Sequence, residues 1–246
     1  MTELPEPGGK LRLFVEATLG DSARIAPDDG QSHYLLHVMR AKAGDRISLF
    51  NGRDGEWLAC VADVTKRSCS LVCEKQTAKQ FDTPDIWLCF APIKKTPADY
   101  VVQNATELGV RALLPVFTRR TIVTRVNEGR MRANAVEAAE QSGRLTVPEI
   151  REAVTLEKLL AQWPKERRLF FCDEAGDAEP AVEAFRYARG TSCAVLSGPE
   201  GGFDPAEREA IRSRPFVTPL TLGQRILRAD TAALAALAVW QALAGD

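Results

Sequence analysis

The sequence predicts an α/β protein in two parts: a small N-terminal β-barrel over residues 1–78, then an α/β domain with a mostly parallel sheet over 79–246. Three observations predict it. Short β-rich runs separated by Asn51-Gly52 and Asp54-Gly55 turns fill the first part; from Asp85 the rhythm becomes strand and helix in alternation; and two glycine turns, each leaving an apolar run, stand toward the C-terminus.

In chain order, Arg46–Phe50, Glu56–Val61 and Ser70–Cys73 read as strands, interrupted before them by a short helix from His33 to Arg40. Such runs with tight turns build small barrels. The polar stretch from Thr77 to Pro84 reads as a linker. Ile86–Ala91 is then a strand, and Thr96-Pro97-Ala98-Asp99 opens a helix with a cap residue and a proline in its first turn. Arg111–Phe117, Arg168–Cys172, Cys193–Leu196 and Phe216–Leu220 follow as strands, with helices over Asn127–Ser142, Glu179–Arg189, Asp204–Arg214 and an alanine-rich one at the C-terminus. Asp204-Pro-Ala-Glu207 is a capping-box variant.

The 246 residues suffice to bury a core, and 45% hydrophobic with 26% charged residues is ordinary for a globular protein. A formal net charge of -1 excludes an overall basic field, so contact with nucleic acid has to come from local patches. The longest apolar stretch, Ala232 to Leu243, is too short and alanine-rich to span a bilayer, and Met1–Lys10 lacks the apolar core of a signal peptide. A cytoplasmic location and no membrane partner are expected. Cysteines 60, 69, 73, 89, 172 and 193 form no Cys-x-x-Cys pair and read as buried reduced thiols.

The chemistry concentrates in the two glycine turns. Leu196-Ser-Gly-Pro-Glu-Gly-Gly202 leaves a strand and enters the helix at Asp204; its glycines let the backbone approach a ligand, but it has neither the ending of a P-loop nor Rossmann spacing. Leu220, Leu222, Ile226 and Leu227 around Gly223 are suited to enclose a flat adenine ring while backbone groups bond its edge. Arg228 and Asp230 stand at the mouth of the final helix, where Arg228 is either a fixed cation in the pocket or half of a structural ion pair with Asp230 or Glu200. Ligands of parallel sheets bind beyond the carboxyl ends of the strands, where both turns fall. His33 and His37 have helical metal spacing but no third ligand, so no metal is expected.

These turns, Gly198-Pro-Glu-Gly-Gly202 and Leu222-Gly-Gln-Arg-Ile-Leu-Arg-Ala-Asp-Thr231, resemble those of the SPOUT class of S-adenosylmethionine methyltransferases, and within it the RsmE family, which methylates N3 of a uridine in 16S ribosomal RNA. Thr106-Glu-Leu-Gly-Val110, Glu140-Gln-Ser-Gly-Arg144 with Val147-Pro-Glu-Ile150, and His37-Val-Met-Arg40 with Ala43-Gly-Asp45 agree. The resemblance runs from Leu11 to Ala242. The family usually carries Glu where Asp230 stands, and Lys10-Leu-Arg-Leu-Phe14 matches its basic-aromatic opening only loosely.

The resemblance implies that the barrel is PUA-like and RNA-binding, that the second domain carries a C-terminal trefoil knot, an exception to the rule that chains avoid knots, and that the chain forms a homodimer. It implies S-adenosylmethionine held by Leu196, Ser197, Gly198, Glu200, Gly201, Leu220, Leu222, Gly223, Ile226 and Leu227, with Arg228 and Asp230 catalytic. It further implies 16S rRNA in the small ribosomal subunit as partner. Expected contacts are Arg12, Arg40, Lys94, Lys95, Arg119 and Arg120, with Glu140, Gln141 and Arg144 positioning the base. The competing readings are a non-catalytic RNA-binding assembly factor and an enzyme of the same class acting on transfer RNA.

Overall fold

The computed structural model describes residues 11–174 and 177–245, without the side chains of Lys95 and Thr96. Two compact units result. One combines the chain up to Asp82 with a returning segment, Ala139–Val147; the other holds Thr83–Ala138 and the chain from Pro148 onward. A division at residue 78 anticipates no such return, because pattern reading follows the chain and not its contacts.

The first unit is a five-stranded sheet in the order β1-β3-β4-β5-β2, formed by β1 (Arg12–Phe14), β2 (Arg24–Ile25), β3 (Arg46–Phe50), β4 (Glu56–Val64) and β5 (Cys69–Ala78). Only β1 and β3 pair in parallel. Alternation puts Ile47 and Leu49, Ala59 and Val61, and Cys69, Leu71 and Cys73 into one core with Leu13 and Leu35. Three register shifts between β4 and β5 bend the pair, as closure around a core requires. A second small core joins Phe50 to Ala139 and Leu145 of the returning segment.

The expected helix over His33–Arg40 is displaced. Helix α1 spans Asp29–His33, started by a capping box between Asp28 and Gln31, and runs into a π-helical turn over Tyr34–Val38. The chain leaves that turn through Arg40 with φ +55°, a left-handed conformation that stops the helix.

The second unit is a sheet in the order β11-β13-β10-β12-β6-β7-β8, with every pair parallel. Its strands are β6 (Ile86–Phe90), β7 (Ala112–Phe117), β8 (Glu149–Ile150), β10 (Arg168–Cys172), β11 (Glu179–Pro180), β12 (Cys193–Ser197) and β13 (Val217–Thr221), with β9 (Val154–Thr155) beside β7. All five residues of β6 and of β12 are buried, the continuous apolar run of strands covered on both faces. Helices α2 (Lys95–Glu107), α3 (Glu128–Ser142), α4 (Leu156–Ala161), α5 (Ala181–Ala184), α6 (Pro205–Arg212) and α7 (Ala229–Ala244) complete it, the last turn of α3 belonging to the first unit.

Two helix expectations need correction. The helix over Glu179–Arg189 shrinks to α5, because Glu179 and Pro180 extend along β13 instead. At α2 the cap position is Lys94, without a side-chain cap bond, rather than Thr96. The capping box at α6 forms as expected: Asp204 accepts from the Ala206 amide, and Glu207 accepts back from the Asp204 amide at 3.2 Å. The small residues of α7 serve packing within the unit, with Ala233, Ala236, Leu237 and Trp240 buried. No helix among the described residues is long and apolar enough to cross a membrane.

Candidate active site

Because β13, β10 and β12 are neighbours and parallel, the segments that leave them open at one edge of the sheet. Between those segments lies a cleft of about 480 Å³. Ser197, Gly198 and Glu200 of the first glycine turn line one side; Leu220, Leu222, Gly223, Ile226 and Leu227 line the other. Eight of the ten residues expected to hold a cofactor therefore face one cavity. The other two do not. Leu196 is fully buried in the sheet core, and Gly201 turns its carbonyl to Arg120 Nη1 at 2.9 Å.

Local backbone chemistry sets the shape. A Cβ on Gly198 would lie 2.6 Å from the Phe203 ring, so only glycine lets that ring close the floor of the turn. Gly202 has φ +65°, and a Cβ there would meet Glu174 Oε1 at 2.2 Å. Gly223, at φ +110°, lets its amide donate back to Thr221 Oγ1 at 3.3 Å. The Ser197 hydroxyl donates to the Ala229 carbonyl at 3.2 Å, fastening the end of β12 to the start of α7.

The cleft also contains residues outside the sequence expectation, among them Cys172, Asp173, Glu174, Phe203, Ala229 and Ala232. The end of β10 was legible as a strand end, and the carboxyl-edge rule alone would have added Asp173 and Glu174. Asp173 is buried and held by Arg208 Nε at 2.8 Å and Arg212 Nη1 at 2.6 Å, whereas Glu174 is exposed. Burial pushes the Cys172 thiol up to about 12, so it stays protonated at neutral pH.

Arg228 occupies the cap position of α7, exposed, and its guanidinium has no ion pair among the described residues. The alternative of a structural pair with Asp230 or Glu200 is not formed. Asp230 accepts from the Thr231 amide at 2.8 Å within the first turn of α7. Neither residue lines the cleft itself; each flanks Ala229, which does.

The residues expected to touch RNA divide sharply. Arg12 turns inward: its guanidinium donates to Glu56 at 2.7 Å, to the carbonyls of Ala139, Glu140 and Arg144 at 2.8 to 3.1 Å, and stacks over Phe50. Glu140 accepts from the Phe14 amide at 2.9 Å, and Arg144, only 9% exposed, donates to Thr146. These three hold the returning segment against β1, which corrects the expectation for Arg12 as an RNA contact. Arg119 pairs with Asp204 at 3.0 Å while its amide donates to Glu207, so with Arg120 it braces the first glycine turn. The Ala206 amide and Arg119 together hold the Asp204 carboxyl below its ordinary range. Arg40, Lys94 and Gln141 are exposed; the Lys95 side chain lies outside the described residues. The His33 and His37 rings lie 4.8 Å apart, tilted by 42°, and no group of three metal-ligating side chains occurs among the described residues.

Comparison with known proteins first defines the class. Residues 80–241 match the model of an RNA methyltransferase domain, and residues 27–73 that of an RNA methyltransferase PUA domain. The chain superposes on a putative methyltransferase of Legionella pneumophila in complex with the bound cofactor SAM, with a TM-score of 0.87, 26% identity and coverage of 96% of this chain and 98% of that one. A ribosomal RNA small subunit methyltransferase E from Neisseria gonorrhoeae, bound to S-adenosyl methionine, gives the same TM-score and coverage at 27% identity. In sequence, a ribosomal RNA small subunit methyltransferase E of Rickettsia conorii is 32% identical over 229 residues, covering 92% of this chain and 93% of the relative. The chain belongs to the ribosomal RNA small subunit methyltransferase E family, the RsmE branch of the SPOUT fold.

Proposed function

We propose that this chain transfers a methyl group from S-adenosylmethionine to N3 of a uridine in 16S rRNA of the small ribosomal subunit. The observation that carries the reading is the cleft at the carboxyl edge of β13, β10 and β12, where both glycine turns converge. Its 480 Å³ lies in the range of cofactor sites. The residues fit the group. Leu220, Leu222, Ile226 and Leu227 offer apolar walls for an adenine, and the exposed carboxylates Glu174 and Glu200 suit the positive charges of a sulfonium and an ammonium.

When bound, the cofactor supplies an electrophilic methyl on its sulfonium. The protein supplies orientation and electrostatics. Uridine N3 keeps its proton at neutral pH and is a poor nucleophile until it loses it; a fixed cation beside the uracil favours the anion. Arg228 takes that role, because its guanidinium is not committed to a carboxylate. Asp230 or a water accepts the proton. RNA phosphates are met by Arg40 on the first unit and by Lys94 and Lys95 at the start of α2, with Gln141 beside the base. The first, PUA-like unit binds RNA, the C-terminal domain carries a trefoil knot, two copies form a homodimer, and the enzyme works in the cytoplasm, where its substrate is.

The test is methyl incorporation into small subunits lacking the modification, followed by nucleoside separation. Appearance of 3-methyluridine is the expected outcome. A different methylated nucleoside would overturn the atom assignment, and RNA binding that ignores the cofactor would return the non-catalytic reading.

A further inference from the structure

A second cavity, of about 190 Å³, opens at the same edge of the sheet. It lies between the end of β6, the first turns of α2 and the segment leading into α3, lined by Phe90, Ile93, Val102, Val126 and Met131 with Arg125 among its walls. Phe90 of this cavity and Ser197 of the cofactor cleft are register partners on adjacent strands, and the Ala91 amide donates to the Ser197 carbonyl at 3.0 Å. The two cavities are thus neighbours across one strand pair.

Its chemistry is specific. The walls are mostly apolar with one aromatic ring, and Asp99, Arg125, Asn127 and Arg130 supply the polar groups. Asp99 is already held by Arg130 at 2.7 Å and by Asn134 at 2.8 Å. Arg125 is exposed and has no ion pair among the described residues. A volume below the range of whole-ligand sites, apolar faces and one available cation at the rim match a single flat base with its phosphate outside.

We propose that this cavity receives a pyrimidine base of the substrate RNA, splayed from its stack, with Arg125 on the adjoining phosphate. The inference rests on the methyltransferase reading and deepens it by naming a second substrate subsite beside the cofactor cleft. Extrusion of a base into an apolar pocket is how enzymes reach atoms hidden by stacking.

The chain has three methionines, Met1, Met39 and Met131, and of the two among the described residues only Met131 lines this cavity. Methyl-labelled methionine therefore gives a direct readout. Titration of the full chain with a short uridine oligonucleotide should shift the Met131 resonance, and the same oligonucleotide with abasic positions should not. Val126→Trp, which fills the cavity from its partly exposed wall, should raise KM for small subunits by at least about tenfold, the worth of one stacked base, with cofactor Kd unchanged. Arg125→Ala, on the surface, should weaken RNA binding and lower its salt dependence. An unshifted Met131 at saturating oligonucleotide, or unchanged KM in a folded Val126→Trp, would overturn the subsite while leaving methylation intact. Loss of cofactor binding and of 3-methyluridine in the parent chain would sink the functional reading instead, and the Met131 shift would still decide whether the cavity takes a base.

Discussion

Two arginines of this molecule, both expected from the sequence to act on a ligand, behave oppositely in the structure. Around β1, Arg12 meets every available partner: Glu56, three backbone carbonyls and the Phe50 ring. At the mouth of α7, Arg228 meets none of the carboxylates near it in sequence. The difference teaches what separates a structural cation from a functional one here. A guanidinium with all donors engaged in a low-dielectric site is part of the fold, whereas an unengaged one beside a cleft is available to a substrate.

The largest expected effect breaks the structural side of that comparison. The Arg12 and Glu56 side chains are 10% and 7% exposed, so Arg12→Ala leaves a buried carboxylate and three carbonyls without their donor. Removing one partner of a buried pair costs roughly 3–5 kcal/mol. Denaturant unfolding should show a loss of that size. A loss under about 1 kcal/mol, the range of exposed pairs, would show that the network is solvated and Arg12 free for RNA.

The functional side comes next. Arg228→Ala should lower kcat by about 10²–10³, as removing one donor to a developing anion does, with cofactor Kd and melting temperature preserved. Full turnover with normal cofactor binding would remove Arg228 from the chemistry.

These opposite fates also mark how far the sequence was legible. Periodicity located β3, β10, β12 and β13 to within a residue or two, because each is a short apolar run between turn residues. The Gly-Pro-Glu-Gly-Gly and Leu-Gly-x-Arg turns located the cleft, since φ values of +65° at Gly202 and +110° at Gly223 need glycine. The return of Ala139–Val147 to the first unit was not legible, nor was the engagement of Arg12 and Arg144 with it. Those contacts join residues more than a hundred positions apart, and no local pattern encodes them. Asp173 was within reach as the residue that follows β10, but its pairing with Arg208 and Arg212 was not legible, because they come from a helix two strands later.

The amino end of the same sheet offers a titratable control on the comparison. Asp85 accepts from Ser192 Oγ at 2.8 Å and pairs with Arg167, which also donates to the Asp85 carbonyl at 3.0 Å. Burial pushes the Asp85 carboxyl up, but Arg167 and Ser192 outweigh it and hold the carboxyl below its ordinary value. A depressed carboxylate contributes stability that is present above the unfolded pKa, near 4, and lost as pH falls through the folded one. Asp85→Asn should therefore cost about 1.5–3 kcal/mol at neutral pH, the worth of a hydrogen bond to a charged group. Its difference from the parent should shrink as pH falls below 4. A pH-independent difference would assign the effect to packing.

The smallest effect tests the cleft's own geometry. Gly202→Ala puts a side chain at φ +65°, which costs roughly 1–2 kcal/mol for an L-residue. It also pushes against Glu174 Oε1, the far end of a flexible chain that can swing aside. Stability should thus fall by little more than the backbone strain, while Glu174 is displaced from the position it holds beside the cleft. If Glu174 faces the positive charge of the cofactor, Gly202→Ala should weaken cofactor binding several-fold. Glu174→Ala should do the same, and the double variant should be no worse than the weaker single. Two residues acting through one contact are non-additive in this way. Additive losses in calorimetric Kd would mean that Gly202 shapes the turn and Glu174 acts elsewhere, leaving Glu200 as the carboxylate on the cofactor.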